Sequence, residues 1–86
     1  MDFDKTVDSL FLQCTNADKA VMRSAYERFK ASDELEKELR FKTFVRVLAI
    51  RDAQNKGQVL AIDLFSMTSA ELLQLARSIY KRRMTA

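Results

Sequence analysis

The sequence predicts an all-α fold, a compact bundle of about four helices with one further short helical segment. Three observations carry that expectation. The 86 residues include no proline and a single glycine, Gly57, so little interrupts a helix and little supports the tight turns of β-hairpins. Apolar residues make up 48% of the chain and charged residues 31%, too apolar for a disordered chain and too punctuated by charge for a membrane span. Most of the chain also repeats its apolar residues at three- and four-residue intervals, the period of an amphipathic helix. A chain of this length makes one domain, residues 1–86, with a thin core, so surplus apolar surface is expected to meet a partner or a second copy.

The first helix is expected from Asp2 to Cys14, where Phe3, Val7, Leu10, Phe11 and Cys14 share one face. Cys14 reads as a small core residue, because nothing basic adjoins it in sequence to lower its pKa. Asn16 is placed to cap a second helix over Ala17 to Ala31, with Val21, Met22, Ala25, Tyr26 and Phe29 on its apolar side. Its charged side carries Lys19, Arg23, Glu27 and Lys30, and Arg23 and Glu27 have ion-pair spacing. Ser32 and Asp33 break the pattern, and Asp33 with Glu36 has the form of a capping box that starts a third helix. This helix is expected to run to about Asn55 and to stop at Gly57, which tolerates the positive φ of a helix end. Phe41, Phe44, Val45 and Leu48 line one side of it, while Leu39, Val47 and Ile50 point elsewhere. A helix apolar on two sides is central to its fold or is covered by a second subunit.

Residues 58–65 are too short and too uniformly apolar for periodicity to choose between helix and strand. The lack of hairpin turns and of a partner strand favours a short buried helix. Thr68 and Glu71 then form a second capping box, opening a last helix to about Met84. Leu72, Leu73, Leu75, Ala76, Ile79 and Tyr80 face inward there, opposite Gln74, Arg77, Ser78 and Lys81.

The absence of histidine removes the usual nucleophile pairs, His-ligated metals and the common near-neutral base. One glycine makes no phosphate-cradling Gly-rich loop, and one cysteine makes neither an internal disulfide nor a Cys-based zinc site. Asp2, Asp4 and Asp8 complement the dipole of the helix they open, and Glu34, Glu36 and Glu38 lack the spacing of a calcium loop. No catalytic residue, metal ligand or cofactor is therefore expected. The single thiol, the acidic N-terminus and the absence of a long apolar run point to the cytoplasm or the nucleus rather than to secretion or a membrane.

What remains is charge. The net +3 divides unevenly: residues 1–39 carry six Lys and Arg against nine Asp and Glu, and residues 40–86 carry nine against three. Arg40, Lys42, Arg46, Arg51 and Lys56 lie on the third helix, and Arg77, Lys81, Arg82 and Arg83 on the last. Lys42 and Arg46 are one turn apart, as are Arg77 and Lys81. If the two helices pack side by side, Lys42, Arg46, Arg77, Lys81, Arg82 and Arg83 are candidates to follow one phosphate backbone. A helix-turn-helix formed by residues 58–65, a turn at Ser66 to Thr68 and a recognition helix from Ser69 would present Gln74, Arg77, Ser78 and Lys81 to DNA. Basic residues at a helix C-terminus also simply offset its dipole. The expectation is a non-catalytic binding or regulatory protein that contacts DNA through its basic half. The alternative is a regulator or inhibitor that docks a helical face onto an acidic protein surface. Homodimerisation is compatible with either.

Overall fold

In the computed structural model, which describes residues 3–60 and 63–85, four α-helices follow one another: α1 (Phe3–Gln13), α2 (Asn16–Ala31), α3 (Glu34–Asn55) and α4 (Ser69–Thr85). A single 3-10 turn, Leu64–Ser66, lies between α3 and α4, and no strand occurs among the described residues. The fold class read from periodicity is the one observed. As its two-sided apolar pattern implies, α3 is central, packing against α1, α2 and α4.

The core forms where the four apolar stripes meet. Val7 and Leu10 of α1, Met22 and Phe29 of α2, Phe41, Phe44, Val45 and Leu48 of α3, and Leu72, Ala76 and Ile79 of α4 are all buried. Burial of each large apolar side chain contributes about 1.5–3 kcal/mol. Phe3 lies against Phe41 with centroids 4.4 Å apart, and Phe11 stacks on Tyr26 at 4.1 Å, which pins α1 to α3 and α2.

Helix ends follow local chemistry. Thr15, not Asn16, caps α2: its hydroxyl accepts from the Asp18 N–H, and Asn16 becomes the first helical residue. Two adjacent residues each suited to capping leave that choice to the geometry of the α1–α2 turn. Asp33 Oδ1 accepts from the Glu36 N–H at 3.0 Å and opens α3. At the other end the Gly57 N–H donates to the Gln54 carbonyl and the Gln58 N–H to the Ala53 carbonyl, a Schellman motif with Gly57 at φ +64°. At α4, Thr68 Oγ1 accepts from the Glu71 N–H at 3.2 Å, and Glu71 Oε1 accepts from the Thr68 N–H at 3.0 Å, a reciprocal capping box.

The expected short buried helix over residues 58–65 is not formed. Residues 58–60 have no regular structure, residues 61–62 lie outside the described residues, and one 3-10 turn follows. The Schellman motif turns the chain out of the helix direction, and Asp63 then supplies local acceptors. Its Oδ1 accepts from the Phe65 N–H and its Oδ2 from the Ser66 hydroxyl, closing a tight turn instead of a helix. Nor is the segment uniformly buried: Leu64 is inside, but Val59 is 94% and Phe65 79% exposed. No helix among the described residues is long and apolar enough to cross a membrane.

Candidate interaction surface

Much of the charge in the basic half is spent inside the molecule. Asp18, in the first turn of α2, and Asp52, near the end of α3, are both buried and sit close to the C-terminus of α4. Arg51 Nε donates to Asp18 Oδ1 at 2.8 Å, and Asn55 Nδ2 donates to the same carboxylate at 3.2 Å. Asp52 gathers Lys56 at 3.3 Å, Arg82 at 3.3 Å and Arg83 at 3.4 Å, and Arg83 also lies 3.9 Å from Asp18. Burial pushes the Asp18 pKa up, but the hydrogen bonds from Arg51 and Asn55 and the charges of Arg51 and Arg83 outweigh it. The carboxyl therefore titrates below its ordinary 3.8. Four cations thus tie the ends of α2, α3 and α4 together around two carboxylates.

Cys14 is in the core as its sequence position implies, and its thiol donates to the Leu10 carbonyl. It does have a basic neighbour, invisible in local sequence: Arg83 approaches its sulfur at 3.8 Å. Burial nevertheless raises the thiol pKa above 9.0, against the lowering effect of Arg83. The aspartates of α1 do more than offset a dipole. Asp8 accepts from the Tyr26 hydroxyl at 2.8 Å and pairs with Lys30 at 3.2 Å, while Asp4 pairs with Lys37 at 3.0 Å. The hydrogen bond to Asp8 is the main reason that the Tyr26 pKa is raised.

The six candidate phosphate-binding residues divide into three sets. Arg82 and Arg83 are brought together on Asp52. Arg46 Nε donates to the Leu64 carbonyl at 3.2 Å, and its guanidinium covers the Phe65 ring at 5.0 Å, with half-buried Lys42 one turn before it. Arg77 lies in the cleft between α1 and α4, and Lys81, one turn on, is exposed. The groove between α3 and α4 is lined by Arg82 and not by Arg77. Arg77 and the Lys42–Arg46 pair therefore belong to separate surfaces. The helix-turn-helix arrangement loses its first helix for the reason given above, a Schellman stop followed by an Asp63-centred turn. The expected Arg23–Glu27 pair is not formed either, and Arg23 instead lies 6.0 Å from the centre of the Phe11 ring.

A different surface stands out on the outside of α2 and α3. Val21, Leu39 and Ile50 are 48%, 57% and 42% exposed, Leu35 is almost wholly exposed, and Val47 is half-buried between them and the core. Among the described residues, the groove between the two helices is lined by Val21, Ser24, Ala25, Arg28, Arg40, Thr43 and Val47, two cations and no carboxylate. Among the described residues, Arg28, Arg40 and Lys42 have no ion pair. Arg46, one turn before Ile50 on α3, covers the exposed Phe65 ring. Leu39, Val47 and Ile50 were legible in sequence as residues off the core face of α3. Arg28 and Phe65 were not, because nothing local says which groove a basic residue flanks or that an apolar segment turns outward.

Among the described residues, no group of three or more His, Cys, Asp or Glu side chains is placed to hold a metal ion. Comparison with models of protein families, with curated proteins and with solved structures gives no match, so the functional reading rests on the chain's own residues.

Proposed function

We propose that this chain is a non-catalytic interaction module that docks an acidic, amphipathic segment of a partner protein on the outer face of α2 and α3. The observation that carries this is a groove that holds Val21, Val47 and the cations Arg28 and Arg40 with no carboxylate among its described lining residues, while Leu39 and Ile50 are exposed on α3, one position before Arg40 and three after Val47. Apolar residues at that spacing supply contact area, and cations at the rim select the charge of what lies on them. With no chemistry of its own, the module acts by occupying the partner's surface, as a regulator or inhibitor does.

A second copy fits the same face less well, because an isologous contact sets this cation-lined groove against itself and like charges oppose association. Duplex DNA is less favoured because Arg51, Lys56, Arg82 and Arg83 are held by Asp18 and Asp52. Lys42 and Arg46 also lie apart from Arg77.

The test is fluorescence anisotropy with three labelled probes: a helical peptide with a Leu seam and a Glu-rich face, its Lys-rich counterpart, and duplex DNA across a salt series. The expected result is preference for the acidic peptide and a loss of roughly tenfold in affinity for Leu39→Gln combined with Ile50→Gln. Equal affinity for both peptides overturns the proposal. DNA binding that falls steeply with salt and depends on Lys42, Arg77 and Lys81 assigns the protein to nucleic acid instead.

A further inference from the structure

The cleft between α1 and α4 is separate from the α2–α3 face and has its own chemistry. Lys5, Thr6, Ser9 and Leu10 line it from α1, and Ala76, Arg77 and Tyr80 from α4. Its volume is about 270 Å³. Leu10 and Ala76 are buried and give it an apolar floor, while Lys5, Arg77 and Tyr80 are exposed at its rim.

The charge of α1 is sorted by face. Asp4 and Asp8 lie one position, about 100° of helix rotation, before Lys5 and Ser9. They turn away from α4, to pair with Lys37 on α3 and Lys30 on α2. Lys5, Thr6 and Ser9 line the cleft from α1, and Arg77 and Tyr80 line it from α4. Two cations and three hydroxyl-bearing side chains thus surround an apolar floor, with no carboxylate among the described lining residues. Arg77 itself has no internal ion pair among the described residues, unlike Arg82 and Arg83 on the same helix.

We infer that this cleft binds a small phosphomonoester whose organic part is a flat apolar group. A phosphate dianion matches the two cations. Its three terminal oxygens use more donors than a carboxylate offers sites for, and Arg and hydroxyl donors suit them. The organic part lies on Leu10 and Ala76 beside the Tyr80 ring, the mix of apolar lining and few polar groups typical of small-molecule sites.

The experiment is an NMR titration of the full, ¹⁵N-labelled chain with phenyl phosphate, inorganic phosphate and phenol. The expected result is saturable shifts confined to residues 5–10 and 76–80, with phenyl phosphate at least about tenfold tighter than either fragment. Arg77→Gln and Lys5→Gln, each with unchanged helicity, are expected to weaken it about fivefold. Shifts that spread to Arg28, Arg40 and Lys42, affinity unchanged in both variants, or inorganic phosphate binding as tightly as phenyl phosphate overturns the inference. None of these outcomes depends on the α2–α3 face.

Discussion

Replacing Asp18 by Asn keeps the shape of the side chain and removes the charge that holds three helix ends together. In the native chain this carboxylate is only 6% exposed and accepts from Arg51 at 2.8 Å and from Asn55 at 3.2 Å, with Arg83 at 3.9 Å. Hydrogen bonds to a charged group contribute about 1.5–3 kcal/mol each, and an amide retains one acceptor oxygen, so roughly one such bond is lost. Arg51 is 27% and Arg83 19% exposed, so water recovers part of what their charges lose and the upper values for a broken buried pair do not apply. The expected loss for Asp18→Asn is about 2 kcal/mol, against a total of roughly 4–13 kcal/mol for a domain of this size. That corresponds to a fall in Tm of roughly 10 °C. Urea and thermal melts followed by helical circular dichroism measure it, and a double-mutant cycle with Arg51→Gln isolates the pair. A loss under about 0.5 kcal/mol, the size of an ordinary surface substitution, would refute the idea that this cluster secures the ends of α2, α3 and α4.

Three further outcomes follow from the same geometry. Because the Asp18 pKa is lowered from 3.8 in the folded chain, its stabilisation is present above that value and is lost as pH falls through the folded pKa. The stability difference between the native chain and Asp18→Asn should therefore shrink from about pH 5 to about pH 2, and a constant difference contradicts the assignment. Gly57→Ala is expected to cost about 1 kcal/mol from the positive φ alone, since an added Cβ meets nothing within 4 Å; a cost near zero in urea melts argues against the Schellman stop. Cys14, buried with its pKa raised by burial despite Arg83, should react with a thiol reagent only as fast as the chain opens. Its rate is then expected to climb with urea, and reaction at the rate of a free thiol in the native chain counts against a closed core.

The helices were legible because each carries its own periodic stripe and its own stop signals. Thr68 with Glu71 and Gly57 behave as their local sequence implies, since capping is decided within four residues. The α2 cap moved by one residue because Thr15 and Asn16 are chemically interchangeable there. Residues 58–65 depart from the expected helix because an apolar run without a period leaves the outcome to neighbouring turns, here Gly57 and Asp63. The basic residues were harder still. Arg82 and Arg83 look like an open cationic tail in sequence, and only the packing of α4 on α3 brings Asp52, 30 and 31 positions earlier, against them. The apolar residues that α3 turns away from the core, by contrast, were visible as Leu39, Val47 and Ile50, and two of the three are exposed.

The most direct test of the proposed function is where an acidic amphipathic peptide sits on the ¹⁵N-labelled chain. Chemical-shift changes concentrated at Val21, Arg28, Leu39, Val47 and Ile50, and diminished in Leu39→Gln with Ile50→Gln, are the predicted result. Changes centred on Arg77 and Lys81, or scattered over every exposed basic residue, would contradict it.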